Sequence, residues 1–137
     1  MLDEGEGEAV LLLHGNPTWS YLWRETVQPL RAAGYRVIVP DQRGFGGSKP
    51  FGSPYDDPIE VRVADLAGLL EVLAVERVTL VLHDWGGPIG LAFAAAHPQA
   101  VRALVVIARG RGRTRRRSTP AWCRGGCCTR RSWVRTC

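Results

Sequence analysis

Leu80-Val81-Leu82-His83-Asp84-Trp85-Gly86-Gly87 decides the fold of this chain. It reads as the end of a buried strand, a sharp turn, and the opening of a helix of small residues that runs on through Ile89 to His97. A turn of this kind lifts one side chain above the C-terminal edge of a sheet, which is the setting of a nucleophile elbow. Here the lifted residue is Asp84. Gly86 and Gly87 are expected to let the following helix approach the sheet closely, and the N–H groups at the helix start can stabilise a developing negative charge.

Outward from this turn, strands and helices alternate. Ala9 to His14 is a continuous apolar run ending at Gly15, which suits a strand buried on both faces. Trp19 to Ala33 has helical spacing at Trp19, Leu22, Trp23, Val27 and Leu30, with Pro29 expected to kink or end the helix early. Arg36 to Pro40 is a second strand, and Asp41 to Pro58, rich in Gly, Pro, Ser and Asp, is loop. Ile59 to Val75 carries Leu66, Leu69, Leu70 and Leu73 on one helical face. Arg77 to Leu82 is a third strand and Arg102 to Ile107 a fourth. Such alternation implies an α/β fold: a mostly parallel central sheet, right-handed crossovers, and helices on both faces.

An aspartate at the elbow has chemical content. Hydrolases that cleave esters usually place serine there, and serine needs a base before it attacks. A carboxylate, with an ordinary pKa of about 3.9, is ionised at neutral pH and can displace a leaving group at an sp³ carbon directly. The product is an alkyl ester on the enzyme, which a histidine-activated water would hydrolyse.

Three segments then carry a resemblance. They are His14-Gly15-Asn16-Pro17-Thr18-Trp19-Ser20-Tyr21-Leu22-Trp23-Arg24, the loop Asp41-Gln42-Arg43-Gly44-Phe45-Gly46-Gly47-Ser48-Lys49-Pro50, and His83-Asp84-Trp85-Gly86-Gly87-Pro88-Ile89-Gly90-Leu91. With these, in this order, residues 2–107 resemble the haloalkane dehalogenases of the α/β-hydrolase fold. The resemblance implies Asp84 as nucleophile and the backbone N–H groups of Asn16 and Trp85 as the oxyanion hole. It implies that the indole N–H of Trp85 and the amide of Asn16 hold the departing halide. A halide needs no proton, only neutral N–H donors in a dry pocket. The implied substrate is a haloalkane-like small molecule, and the implied chemistry calls for no metal and no cofactor.

Epoxide hydrolases share the aspartate elbow. Their oxyanion loop usually has an aromatic residue where this chain has Asn16, and their elbow usually has glycine where this chain has Leu82. The β-lactone decarboxylases related to the dehalogenases share nearly all three motifs and stand as an alternative. A truncated remnant without activity is another. The family uses two further strands at the front, a helical cap, an orienting acid and a catalytic histidine near its C-terminus. Here eight residues precede Ala9, nothing resembles the cap, and no Asp or Glu follows Asp84. Without the histidine the expectation is one reaction and a stall, with no turnover. His14, His83 and His97 belong to element ends and suit structural roles.

The chain divides at Ala108. Residues 108–137 hold ten arginines, all four cysteines, one Val, and no Leu, Ile, Phe, Asp, Glu or Lys. Such a segment cannot bury enough apolar surface to offset its chain entropy, so disorder is expected. Residues 1–107 are expected to form a truncated hydrolase core, and they hold 8 basic against 13 acidic residues, so the +5 of the whole chain conceals an acidic body. The tail's composition matches a GC-rich coding sequence read out of frame, and the expectation from it is a frameshift near Ala108. Its arginines suit salt-sensitive, non-specific adsorption to polyanions rather than specific nucleic-acid binding, and its cysteine spacing is not a paired zinc pattern. No run of 18 apolar residues suggests a membrane span, and an acidic N-terminus argues for the cytoplasm.

Overall fold

The computed structural model describes residues 1–49 and 57–107. Five strands form one sheet in the order β1-β3-β2-β4-β5. These are β1 (Leu2–Glu4), β2 (Ala9–Leu13), β3 (Arg36–Val39), β4 (Val78–His83) and β5 (Val101–Ile107). β2, β3, β4 and β5 run parallel, and β1 pairs antiparallel with β3 at the margin. The helices are α1 (Arg24–Ala32), α2 (Ile59–Val72) and α3 (Gly86–Ala96), with a 3₁₀ turn at Ser20–Trp23 leading into α1 and another at Pro98–Ala100 before β5.

β2 lies at the centre, and all five of its residues are buried. Its alternate side chains feed two cores. Ala9, Leu11 and Leu13 join Ile38, Val78, Leu80 and Leu82 beneath Leu66 and Leu70 of α2 and Phe93 of α3. Val10 and Leu12 join Val37 and Val39 beneath Trp23 and Val27 at the start of the chain's first helical stretch. The period of two thus sorts one apolar strand into two layers, and helices cover both faces.

Several expectations are corrected. Pro29 does not end α1, which continues to Ala32. Pro29 is exposed, and the packing of Val27 and Leu30 against the sheet outweighs the missing N–H. The residues before Ala9 include a strand, β1, held less by apolar burial than by charge. Arg36 forks onto Asp3 at 2.9 and 2.7 Å, and Arg31 reaches Glu4 at 3.0 Å. α2 stops at Val72 rather than Val75, and α3 begins at Gly86, before Ile89. The tail expected to be disordered, 108–137, lies outside the described residues, as do residues 50–56 of the loop before α2. Among the described residues no helix is long and apolar enough to cross a membrane.

Candidate active site

Asp84 sits at the tip of the turn between β4 and α3 with φ = 52°, the left-handed region. For a residue with a Cβ this conformation costs on the order of 1–2 kcal/mol, which the surrounding structure must hold in place. The Gly87 N–H donates to the Asp84 carbonyl at 2.8 Å and closes the turn. Glycine is required at three neighbours by space. A Cβ on Gly15 would fall 2.3 Å from the Asp84 Cβ, one on Gly86 would lie 2.6 Å from the Leu13 carbonyl oxygen, and one on Gly90 would strike Leu82 at 2.3 Å. Gly87 has nothing within 4 Å of such a position, so the close approach expected of Gly86 and Gly87 belongs to Gly86 and Gly90.

The loop after β2 brings Asn16 to the elbow. Its backbone N–H donates to Asp84 Oδ2 at 3.0 Å, across 68 residues of sequence. Asn16 and Trp85 line one cavity of about 130 Å³, together with His14, Gln42, Phe45, Arg62 and Ile89 among others. Trp85 is about half exposed, and the Asn16 side-chain oxygen is buried without a hydrogen-bond partner. A larger cavity of about 410 Å³ adjoins it, sharing Gln42, Arg62 and Ile89.

Gln42, Phe45, Asp57 and Arg62 also line this cavity, and sequence reasoning does not single them out. Gln42 and Phe45 come from the glycine-rich loop after β3, whose motif is visible in the sequence although their position is not. Arg62, nearly buried, holds its guanidinium 3.9 Å from Asp57 and 3.5 Å from the Arg43 carbonyl. The loop itself is organised by Asp41, which accepts from the N–H groups of Ser20 at 2.9 Å and Gly47 at 3.0 Å. Burial alone would raise the Asp41 carboxyl. The donors from Gly47 and Ser20, with the nearby N-terminal ammonium, reverse this and hold it at about 2.

Two of the three histidines are engaged structurally. His14 is fully buried, accepts the Gln42 N–H on Nε2 at 2.9 Å, and therefore carries its proton on Nδ1, which faces the Gly15 carbonyl at 3.0 Å. Burial holds its pKa below the usual imidazole range, against the pull of the Gly15 carbonyl and Asp41. His97 caps the end of α3 and packs on Phe93, ring centroids 4.8 Å apart. Among the described residues no group of three or more His, Cys, Asp or Glu is gathered as for a metal ion.

Residues 8–121 match the family described as alpha/beta hydrolase fold. The chain belongs to that family. As an α/β hydrolase it is 45% identical over 111 residues to a cis-3-alkyl-4-alkyloxetan-2-one decarboxylase of Shewanella oneidensis, covering 80% of this chain and 35% of the relative. It is 44% identical over 128 residues to a haloalkane dehalogenase of Mycobacterium marinum, covering 82% and 40%. Among solved structures, an epoxide hydrolase from Vigna radiata superposes with a TM-score of 0.73 at 38% identity, covering 76% of this α/β hydrolase and 34% of that chain. The chain spans little more than a third of the length of the curated relatives it matches.

Proposed function

We propose that the chain carries the nucleophile half of a haloalkane dehalogenase-like site. Asp84 attacks a carbon bearing a halogen: Oδ1 forms the new C–O bond, the carbon–halogen bond breaks, and its electron pair leaves with the halide. The reading rests above all on the Asn16 N–H held against Oδ2 of a carboxylate at a left-handed elbow. That donor leaves Oδ1 to attack. After attack, Oδ2 becomes the ester carbonyl oxygen and already has a donor for the charge that develops when water adds. The oxyanion role assigned to Asn16 therefore begins on the nucleophile itself. The Asn16 amide and the Trp85 indole border one cavity, and an amide turned over would present its NH₂ where an unpartnered oxygen now lies.

Hydrolysis of the ester needs a base, and the described histidines are poorly suited: both His14 nitrogens are engaged, His83 has its ring packed on Trp23 with Nδ1 buried, and His97 packs at the far end of α3. The 137-residue chain is therefore expected to stop at the ester. Incubated with butyl bromide, it gains one butyl group on the peptide holding Asp84 and releases at most one bromide per chain, read by mass spectrometry and halide assay. Asp84→Asn gains none. Steady multiple-turnover bromide release, or an equal adduct on the Asn variant, would refute the mechanism.

A second reading, β-lactone decarboxylation, is favoured by the relatives of Shewanella oneidensis and Xanthomonas campestris at 45% and 47% identity. The two separate by substrate: an adduct from a disubstituted β-lactone and none from butyl bromide selects the decarboxylase.

A further inference from the structure

The peptide that presents the Asn16 N–H to Asp84 is also held at its other side. Its carbonyl belongs to Gly15, and three donors converge on that oxygen: the Thr18 N–H at 3.0 Å, the Thr18 hydroxyl at 2.8 Å and Nδ1–H of His14 at 3.0 Å. A carbonyl oxygen has two lone pairs, so three donors exceed what satisfying it requires. The imidazole is itself tied down. Gln42 grips His14 twice, with its backbone N–H on Nε2 at 2.9 Å and its side-chain amide on the His14 carbonyl. His14 is fully buried, and Phe45 meets its ring edge to face, centroids 5.6 Å apart. Hydrogen bonds thus run from the loop after β3, through His14 and the Gly15–Asn16 peptide, to Oδ2 of Asp84.

We propose that Thr18 and His14 are positioning residues that clamp the Gly15–Asn16 peptide and so aim the Asn16 N–H at Asp84. A trans peptide is planar, with its N–H and C=O pointing in opposite directions. Holding the oxygen on one side therefore fixes the direction of the hydrogen on the other. Gly15 depends on such a hold, because it has no side chain to anchor it and a Cβ there would strike Asp84. Donors on a carbonyl also polarise its peptide, which strengthens the N–H as a donor. An N–H aimed and polarised in advance needs no reorientation as Oδ2 passes from carboxylate oxygen to ester carbonyl. A threonine hydroxyl bonded three residues back often serves only its own turn. Here the same oxygen also takes the proton of His14, which a separate loop grips, and the plane so fixed is the one that meets Asp84. The positioning role rests on the proposed attack by Asp84, whereas the clamp does not.

The test pairs nuclear magnetic resonance on the ¹⁵N-labelled full chain with single-turnover alkylation of Asp84 by butyl bromide. Thr18→Val removes the hydroxyl at nearly constant shape, and Thr18→Ser keeps it; should the Val variant not fold, Thr18→Ala takes its place. The variant without the hydroxyl should exchange its Asn16 amide about tenfold faster than the parent. It should also lower the limiting rate of alkylation by on the order of tenfold, with the half-saturating concentration of butyl bromide unchanged. Thr18→Ser should recover most of both losses. His14 in the parent chain is expected as the Nδ1–H tautomer. The proposal is overturned by a hydroxyl-free variant that matches the parent in amide exchange and limiting rate, by a loss confined to the half-saturating concentration, by a Ser variant that recovers nothing, or by an Nε2–H tautomer at His14. Should butyl bromide leave Asp84 of the parent unmodified, the nucleophile reading falls, and amide exchange and the tautomer still judge the clamp.

Discussion

A methyl group on Gly15 would meet the Asp84 side chain head-on, with its carbon 2.3 Å from the Asp84 Cβ and 2.5 Å from Oδ2. Gly15→Ala must therefore displace either the elbow or the Asn16 loop. It is expected to cost about 1–3 kcal/mol, measured by urea denaturation, and to abolish the Asp84 adduct even where the variant still folds. A variant with parent stability and full adduct would show that the two loops have slack. Asp41 makes a different demand. Its carboxyl is held at about 2 against an ordinary value of 3.8, so the charged form is favoured by folding. That contribution, about 2 kcal/mol, is present in full above the unfolded value and is lost as pH falls from about 4 towards 2. Asp41→Asn should lower stability at pH 7 by about that amount and flatten the acid limb of the stability profile. Equal slopes for parent and variant between pH 4 and 2 would exclude Asp41 as the source. Asp84 and Gly86 are legible in the sequence because a strand, a sharp turn and a glycine-rich helix start form one contiguous pattern. Arg62 and Asp57 are not, because they reach the cavity from a helix start and a loop end far along the chain, and only the strand order shows where those arrive.

The ends of α1 and α2 show how local chemistry sets an element. After α1 the chain turns at Gly34, φ = 88°, with the Tyr35 N–H returning to the Leu30 carbonyl at 3.2 Å. After α2 the same reversal occurs at Ala74, φ = 52°, with the Val75 N–H reaching the Leu70 carbonyl at 2.9 Å. A left-handed position suits glycine and penalises a Cβ. Ala74→Gly should therefore stabilise the protein by about 1 kcal/mol, and Gly34→Ala should destabilise it by a similar amount, read from denaturation midpoints. A loss of stability in Ala74→Gly would mean the strain is relieved elsewhere. The same contrast explains why one helix end is easier to read than the other. Gly34 announces the end of α1, whereas nothing at Ala74 marks a stop, so the apolar periodicity carries α2 on to Val75. β1 is invisible in the sequence because Leu2-Asp3-Glu4 has no strand pattern, its pairing being fixed by the ion pairs of Asp3 with Arg36 and of Glu4 with Arg31.

At the scale of the whole molecule the sheet is asymmetric. β1 ends one side as a short, charged strand, a common way of blunting an edge. β5 ends the other side, among the described residues, with Leu104, Val105, Val106 and Ile107 each 43–51% exposed. A long apolar edge with open backbone groups invites pairing with another chain. The purified chain should grow in mass with concentration by light scattering, and Val105→Lys should hold it nearer to the monomer. If the Lys variant associates as the parent does, β5 is not the contact.

β2, at the centre, and its neighbour β4 are matched from Ala9 beside Val78 to Leu13 beside Leu82. Asn16 follows one and Asp84 the other. Loosening that starts at either margin, with the acidic ribbon on one flank or the bare apolar one on the other, has to pass β3 or β5 before it reaches the nucleophile's tether. A damaged or partly melted copy would keep its reactive half longest, with its chemistry outliving much of its architecture.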